Sequence, residues 1–559
     1  MRGLVGHMGE TDPSNPKPWL RLCGLIVLAL LLTAAVAYRS LEMSSLHGRL
    51  SVPPLFDDVT YFLAAAKWLN AAESQSVGAS MLGLLHQHAP FSTLVAATGF
   101  RLVPDSYIGP YLVHVAVVFA FLLGIVWFAW KRPASEIATC LIAAACVPMV
   151  WHTVSEARPD LPWGLALGLI AGAILHRGAL QRGAMSLAAL GVACGLAVSL
   201  KPTAFPASIV LLGSVFAIRL VLDCLQSGGL RASGRSAVAA LLWFGVGLVA
   251  TAAVLIGPAL AATLTYILNV FVYQRDIWTA GEGFWAGLSH YSVGNEGKAG
   301  LHDWFWVGVA LMGLRLWLAA TKGRAAIHDA AAVLAAVVIA YAIPSVAEIK
   351  TYFFGAIFYG VFIVALVMNF CAIEEDIESR LAGSRFGPAI KRHALAAVRL
   401  VPLVVVALLF GQSVVSGRVS LATPLTADQQ DAIRGGTERV WSLLRDAKSN
   451  DAKSNPTGPL SVGFSSPYPV TPTTIQLYAV QARTTFVVRQ EFFHRTVDET
   501  EKALLQSNIL VISSSIPHGL PGPRVGNELI ARMDANTDVC LLDSVAFPDV
   551  RLRVYRRPC

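Results

Sequence analysis

The chain has 559 residues, of which 55% are hydrophobic and only 14% are charged, and its mean hydropathy is +0.59. Soluble globular proteins rarely have such a composition, so a soluble protein is excluded and a multi-pass membrane protein is indicated. The formal net charge of +8 does not indicate nucleic-acid binding here, because basic residues gather in the loops that set membrane topology.

Eleven apolar segments are long enough to cross the hydrocarbon core of a membrane, which is about 30 Å thick. We expect a polytopic helical bundle over residues 20–415, preceded by a short cytoplasmic segment at 1–19. Ala35-Val36-Ala37 in the first span would permit signal cleavage, but an uncleaved anchor is favoured because the next external segment needs a tether. The predicted spans are about 20–38, 107–130, 135–153, 161–176, 184–200, 203–222, 237–262, 303–320, 329–347, 351–373 and 394–415.

The placement of one further apolar segment, 81–103, decides the topology. If this segment lies along the membrane surface, the basic residues of every short loop face the cytoplasm, as the positive-inside rule requires. If it crosses the membrane, most of them face outward. We therefore predict an interfacial segment here and an external C-terminal region. The basic residues concerned are Lys131, Arg132, Arg177, Arg182, Arg231, Arg235, Lys322, Arg324, Arg380, Arg385, Lys391 and Arg392.

From about residue 416 the composition changes to that of a soluble domain. We interpret residues 416–459 as a polar linker and residues 460–559 as a small α/β domain, with one helix over 496–507. This domain has no glycine-rich phosphate loop and no metal-ligand spacing, so we expect it to cover a membrane site or to bind a partner. Its predicted strands are 460–464, 483–488, 508–513, 538–545 and 551–556.

Two of the eight cysteines, Cys540 and Cys559, lie in the predicted external domain. A disulfide can persist on that side of a membrane, and two free thiols are the alternative. The other six cysteines lie within predicted spans or at their cytoplasmic ends.

Most of the unusual ionisable side chains lie at the external ends of the predicted spans, and ionisable residues at span ends are where the function of a membrane protein is usually found. They come from several separate loops that the predicted topology places on one side. We therefore expect one polar site at the external surface. The candidate residues are Asp57, Asp58, His86, His88, Glu156, Arg158, Asp160, Lys201, Glu282, His290, Glu348 and Lys350.

These residues also have structural interpretations. Apolar residues at helical spacing in 59–70 predict an amphipathic interfacial helix, with Asp58 placed as its N-cap. Arg158 and Asp160 could neutralise each other, and Lys201 could extend to the membrane surface. Capping accounts for one aspartate of the adjacent pair and leaves the other without a structural role.

Four segments carry short motifs around the candidates: FDDVTYF (56–62), HQHAPFSTLVAATG (86–99), SEARPDLPWGLALGLIAG (155–172) and SLKPTAFP (199–206). They resemble motifs of GT-C glycosyltransferases, membrane enzymes that use polyprenyl-phosphate sugars. The similarity is greatest to the branch containing protein O-mannosyltransferases, the lipid A aminoarabinose transferase and the rhizobial lipid A galacturonosyltransferases. One departure is that Ala89-Pro90 stands where the family usually has two prolines, and His88 where it often has lysine.

The resemblance implies a mainly α, GT-C-like bundle and an inverting enzyme that takes a sugar from a polyprenyl-phosphate donor. The acceptor would be lipid A, another glycan or a protein, at the periplasmic face of a bacterial inner membrane and in contact with membrane lipids. It implies no certain cofactor and leaves a divalent metal open.

The resemblance also implies roles for single residues. Asp57 is the expected base, Asp58 a helix cap or acceptor contact, and Asp160 a group that positions the acceptor or Arg158. Cations are expected to bind the donor phosphate, because the leaving group is an anion. These cations are Arg158, Lys201, Lys350 and His88, and the further site candidates are His86, Tyr61, Glu156, Glu282, His290 and Glu348.

Three other function classes remain as alternatives. One is a non-catalytic lipid-binding subunit that has kept the fold, which only an assay separates from the enzyme. A polymerase or ligase of lipid-linked glycans would favour a large arginine-rich external loop, whereas the loop at 263–302 is only mildly basic. A lipid transporter or flippase would favour internal repeats and charges near the middle of spans. The sequence shows no repeat, and Arg219 and Arg315 lie towards the cytoplasmic ends of their spans.

Overall fold

A computed structural model describes residues 18–559, except 56, 88, 105, 177, 228, 274–283, 348, 417–423, 455–458, 495 and 516–525. The described chain is mainly helical, with one five-stranded sheet near the C-terminus. The helices of the first 416 residues are α1 (Pro18–Leu46), α2 (Asp58–Ala72), α3 (Val77–Leu85), α4 (Pro90–Leu102), α5 (Ile108–Phe128), α6 (Ala134–Cys146), α7 (Pro148–Ser155), α8 (Asp160–His176), α9 (Ala184–Leu200), α10 (Phe205–Gln226), α11 (Leu230–Leu255), α12 (Leu260–Leu268), α13 (Phe284–Ser289), α14 (Asn295–Gly300), α15 (Trp304–Ala320), α16 (Arg324–Val346), α17 (Ala356–Gly383) and α18 (Pro388–Ser416).

The membrane-spanning character of the bundle is confirmed. Among the described residues, seven helices are long and apolar enough to cross a membrane, and the pair α6 and α7, bent by 59°, raises the number to eight if it forms one span. Three further predicted spans coincide with α8, α9 and α15, of 17 residues each. Such a helix is about 26 Å long, slightly less than the hydrocarbon thickness. The count of eleven spans therefore stays a prediction.

Close backbone packing fixes the helices that carry the polar residues. A Cβ on Gly164 of α8 or on Gly360 of α17 would overlap the backbone of the other helix, so only glycine permits this approach. Gly191 of α9 and Gly247 of α11 make a second contact of this kind. Helix α8 begins with Asp160 and α9 ends just before Lys201. The packed helices therefore hold the backbone of both residues in place.

Three helices lie between the first two long ones. The longest of them, α2, has 15 residues and is about 23 Å long, too short to cross the membrane. It buries Val59, Phe62 and Leu63, and Phe62 packs against the rings of Phe100 and Tyr111. The break between α3 and α4 falls within the segment 81–103, whose interfacial placement stays a prediction.

The C-terminal α/β domain is confirmed. Its strands follow the order β2-β1-β3-β5-β4; β1 pairs in parallel with β2 and β3, and β5 is antiparallel to β3 and β4. A capping box formed by Thr496 and Glu499 begins the predicted helix. The elements are β1 (Leu460–Phe464), β2 (Phe486–Gln490), β3 (Ile509–Ser513), β4 (Cys540–Ala546) and β5 (Arg551–Arg556), with helices α19 (Ala427–Ser454), α20 (Pro472–Gln481), α21 (Val497–Leu504) and α22 (Gly526–Ala535).

The C-terminal domain contacts the membrane domain directly. Residues of α19, which lies within the segment interpreted as a linker, share an apolar core with the sheet and with Val52. Helix α20 packs on α2, and Arg483 just beyond it pairs with Glu73 at 3.0 Å. Cys540 and Cys559 form a disulfide, which ties the end of the chain to β4. The predicted domain boundaries themselves are not tested by these contacts.

Candidate active site

A polar cavity of about 250 Å³ lies where α2, α8, α12 and two short turns meet at one end of the bundle. The turns are the 3-10 segments Pro202–Ala204 and Tyr352–Gly355. Among the described residues, the charged side chains that line the cavity come from three separate loops and are Asp57, Arg158, Asp160 and Lys201. The structure therefore brings together the acidic pair, the Arg-x-Asp motif and the Lys-Pro turn.

The two adjacent aspartates have different environments. Asp57 occupies the N-cap position of α2, its side chain is 69% exposed, and Arg158 Nη1 lies 3.0 Å from its Oδ2. Asp58 is only 2% exposed, and its carboxylate accepts hydrogen bonds from Arg49 Nη1 at 2.9 Å and Tyr111 Oη at 2.7 Å. Consecutive residues at a helix start point in different directions, so only Asp57 faces the cavity.

The prediction that Asp58 caps the helix is wrong, because its carboxylate is occupied by Arg49 and Tyr111 instead of the helix backbone. Burial by itself would raise the pKa of Asp58. The two neighbouring guanidinium groups and the tyrosine hydroxyl outweigh burial and hold this pKa below its ordinary value. Asp58 is thus a permanently ionised structural anion at neutral pH.

Arg158 connects the buried anions to the cavity. Its Nε lies 3.2 Å from Glu156 Oε2 and its Nη1 reaches Asp57, while its guanidinium lies 4.5 Å from the ring centre of Phe353. It does not pair with Asp160, which binds Lys201 instead. Arg158 is 8% exposed, and this leaves a desolvated cation at the cavity wall.

Lys201 is the second cation of the cavity. Its ammonium donates to Asp160 Oδ1 and lies 4.9 Å from the ring centre of Phe354 and 5.5 Å from that of Trp163. Both members of the pair are buried. Lys201 therefore faces the cavity and does not extend to the membrane surface.

Tyrosine side chains add hydrogen-bonding groups to the cavity. Burial raises the pKa of Tyr61 well above its ordinary value, and the negative charges of Asp160 and Asp57 raise it further. Its phenol therefore stays protonated and can donate a hydrogen bond. Tyr266 of α12 also lines the cavity.

Several predicted residues lie elsewhere. Glu156 is behind Arg158, and Lys350 donates to the carbonyl oxygens of Pro344 and Ser345, at 3.1 and 2.6 Å, near the end of α16. His86 ends α3 at an exposed position, and His290 packs against Tyr291. The remaining three candidates, His88, Glu282 and Glu348, lie outside the described residues.

Three further residues of the site were not predicted from the sequence: Arg49, Phe353 and Phe354. Arg49 had one usable signal, because it is a basic residue in a segment predicted to be external, against the positive-inside rule. The two phenylalanines had none, since contacts between a cation and an aromatic ring across separate elements have no fixed sequence spacing.

The carboxylates of the cavity are paired with basic side chains. Over the part of the chain that the structure describes, no group of three or more His, Cys, Asp or Glu side chains converges as metal ligands.

An apolar groove of about 510 Å³ adjoins the polar cavity. The two meet at two points of the chain. Ala89 lines the cavity and the next residue, Pro90, lines the groove; Lys201 lines the cavity and the preceding residue, Leu200, lines the groove. The groove runs between α3, α4, α8, α9 and α11, and its walls are almost entirely aliphatic or aromatic.

No protein-family model matches the sequence, and no curated protein matches it significantly. Solved structures do match. ArnT from Cupriavidus metallidurans in the apo state superposes with a TM-score of 0.54 at 14% identity, over 96% of this chain and 98% of that one. The same protein bound to undecaprenyl phosphate gives 0.49 at 13% identity, over 95% and 98%. The archaeal oligosaccharyltransferase AglB from Archaeoglobus fulgidus, with an inhibitory peptide and a dolichol-phosphate, gives 0.48 at 11% identity, over 86% and 69%.

The apo ArnT structure matches almost the whole of both chains. ArnT is a member of the GT-C superfamily, so the predicted GT-C-like fold is confirmed. At 14% identity this likeness establishes the fold and not the reaction.

Proposed function

We propose that this GT-C-fold membrane protein is a glycosyltransferase that moves a sugar from a polyprenyl-phosphate donor to an acceptor hydroxyl. The observation that carries the proposal is the cavity itself. It combines the exposed carboxylate of Asp57 with two desolvated cations, Arg158 and Lys201, beside an apolar groove. This is the set of groups that such a transfer requires.

The transfer needs a base for the acceptor and a counter-charge for the leaving group. Asp57 accepts the acceptor proton as the hydroxyl oxygen attacks C1 of the sugar. The bond between C1 and the phosphate oxygen breaks, and the polyprenyl phosphate leaves with the bonding electrons. Arg158 and Lys201 stabilise the phosphate charge in a cavity where water screens it weakly. A single displacement inverts the configuration at C1.

The apolar groove supports a lipid-linked donor. A polyprenyl chain needs a continuous apolar surface that starts close to its phosphate, and the groove begins beside Lys201. ArnT has also been solved bound to undecaprenyl phosphate, and we place a lipid of this class here.

We further propose that the reaction occurs at the periplasmic face of a bacterial inner membrane, with lipid A, another glycan or a protein as acceptor. Asp160 and the protonated phenol of Tyr61 are placed to hold the acceptor beside Asp57. Lys350 is assigned to the end of α16, not to the donor phosphate.

Three measurements test the proposal together. Mass spectrometry of lipids that co-purify with the protein is expected to find a polyprenyl-phosphate sugar. Replacement of Asp57 by Asn is expected to lower transfer by about 100- to 10,000-fold, the effect of losing a general base, with binding of undecaprenyl phosphate retained. Lys201→Ala is expected to weaken that binding more than turnover.

Asp431→Asn is the matched control, because Asp431 is a 73% exposed aspartate of the C-terminal domain. Full transfer by the Asp57→Asn variant would remove the base assignment. A protein with no bound polyprenyl lipid and no affinity for undecaprenyl phosphate would overturn the proposed function and favour the other classes. Movement of lipid between leaflets without sugar transfer would favour a flippase.

A further inference from the structure

Arg49 lies behind the cavity, in the turn that follows α1. Its backbone N–H donates to Ser44 O at 2.8 Å, and Gly48, with φ +79°, adopts the left-handed conformation that this turn requires. The turn directs the Arg49 side chain inward, where it is only 13% exposed. Arg49 does not line the cavity.

Two buried carboxylates lie between Arg49 and Arg158. Arg49 binds Asp58 through Nη1, at 2.9 and 3.0 Å, and its Nη2 lies 3.2 Å from Glu156 Oε2. From the other side, Arg158 Nε lies 3.2 Å from the same oxygen of Glu156 and 3.6 Å from Asp58 Oδ1. Both carboxylates therefore share two guanidinium groups.

We propose that Arg49 is a positioning residue for the transfer reaction: it holds Asp58 and Glu156 so that Arg158 can extend its Nη1 to Asp57 and the cavity. This inference rests on the proposed function. A buried carboxylate without a counter-charge is strongly unfavourable. Without Arg49, Arg158 would supply more of the counter-charge for both acids and would be drawn away from Asp57.

The shape of the side chain matters as well as its charge. The planar guanidinium of Arg49 contacts two carboxylates at once with separate nitrogens. A lysine ammonium is a point charge on a flexible stem and does not reproduce this bridge. Arg49→Lys is thus expected to keep the fold but to lose part of the positioning.

The decisive experiment compares Arg49→Met, Arg49→Lys and the double variant Arg49→Met/Glu156→Gln. For Arg49→Met we expect kcat to fall by about 100-fold, since a small misplacement of catalytic groups has effects of that size. Arg49→Lys is expected to lie between this variant and the wild type. In the double variant Glu156 carries no charge, so Arg158 neutralises one buried acid fewer. We therefore expect kcat to be about tenfold higher than in Arg49→Met.

Arg39→Met is the control, because Arg39 lies near the same end of α1 but pairs with Glu42 outside the site. The inference is overturned if Arg49→Met and Arg49→Lys keep the wild-type kcat. It is also overturned if Glu156→Gln recovers nothing while the melting temperature of Arg49→Met falls, since that result assigns Arg49 to packing alone.

Failure of the proposed function is distinguishable from failure of this inference. If the wild-type protein binds undecaprenyl phosphate but transfers no sugar, the function is overturned, and binding becomes the readout for Arg49. Binding of undecaprenyl phosphate should then weaken in Arg49→Met and return in the double variant. Equal binding in all variants would overturn the positioning role.

Discussion

At the scale of single residues, the site depends on the difference between Asp57 and Asp58. The sequence analysis selected Asp57 as the base by assigning Asp58 to a helix cap and by resemblance. The cap was wrong, but Asp57 is the aspartate that faces the cavity. Sequence alone could not find the true partner of Asp58, because Arg49 and Tyr111 are brought to it by the tertiary fold. The catalytic role of Asp57 stays a prediction.

The lowered pKa of Asp58 predicts how the stability of the protein depends on pH. A carboxylate whose pKa is lower in the folded state stabilises that state at pH above the unfolded value, about 3.9, and this contribution is lost as the pH falls through the folded value. Asp58→Asn resembles the protonated form. At pH 7 we expect this variant to be less stable by about 3 to 5 kcal/mol, because it breaks a buried ion pair.

Thermal unfolding in detergent between pH 7 and pH 2 measures this effect. The difference in melting temperature between Asp58→Asn and wild type should be constant down to about pH 4 and shrink below it, where the wild-type carboxylate becomes protonated first in the unfolded and then in the folded state. The exposed-site variant Asp431→Asn should match the wild type throughout. A difference that is the same at every pH would contradict an ionised Asp58.

At the scale of elements, long apolar helices and alternating strands could be predicted from the sequence. Strands β1 and β5 begin and end where expected, because an apolar alternation bounded by polar residues is a local property. Helix α19 was missed, since its many charged residues are typical of a linker. Its buried residues Val440, Leu444 and Ala447 do follow helical spacing, so a periodicity count over this segment would have indicated the helix.

The 3-10 turn Tyr352–Gly355 contacts both cations of the cavity. Its consecutive residues Phe353 and Phe354 lie against Arg158 and Lys201. Such contacts contribute about 0.5 to 2 kcal/mol, equivalent to about 2- to 30-fold. We expect Phe353→Leu to lower kcat by this factor, because Arg158 holds Asp57. Phe354→Leu should instead weaken undecaprenyl phosphate binding.

Kinetics and binding on the two variants separate these effects. Phe386→Leu is the control, because Phe386 is 57% exposed and far along the chain from the site. If both variants change the same parameter equally, the turn acts as one packing unit and the two rings have no separate partners.

At the scale of the whole molecule, two separate groups of ionisable residues lie at opposite ends of the membrane bundle. Helix α8 begins with Asp160 in the cavity and ends at His176, which lines a second polar cavity. At that end Arg219 binds Asp223 and Asp329 at 2.8 and 2.6 Å, and Lys322 pairs with Asp376. Basic residues of the short loops predicted to be cytoplasmic lie at this end, which supports the proposed external side for the active site.

Labelling in intact cells tests this sidedness. Lys67 on α2 and Arg385 after α17 are both exposed, and we would replace each by cysteine. The unmodified protein is the control, since of its six free cysteines only Cys23 is exposed. A membrane-impermeant thiol reagent should label Lys67→Cys in intact cells but Arg385→Cys only after the cells are permeabilised.

The disulfide between Cys540 and Cys559 should also be found in cells, because the external compartment is oxidising. If Arg385→Cys is labelled in intact cells, Lys67→Cys is labelled only after permeabilisation, and Cys540 and Cys559 are found reduced, the active site would lie in the cytoplasm.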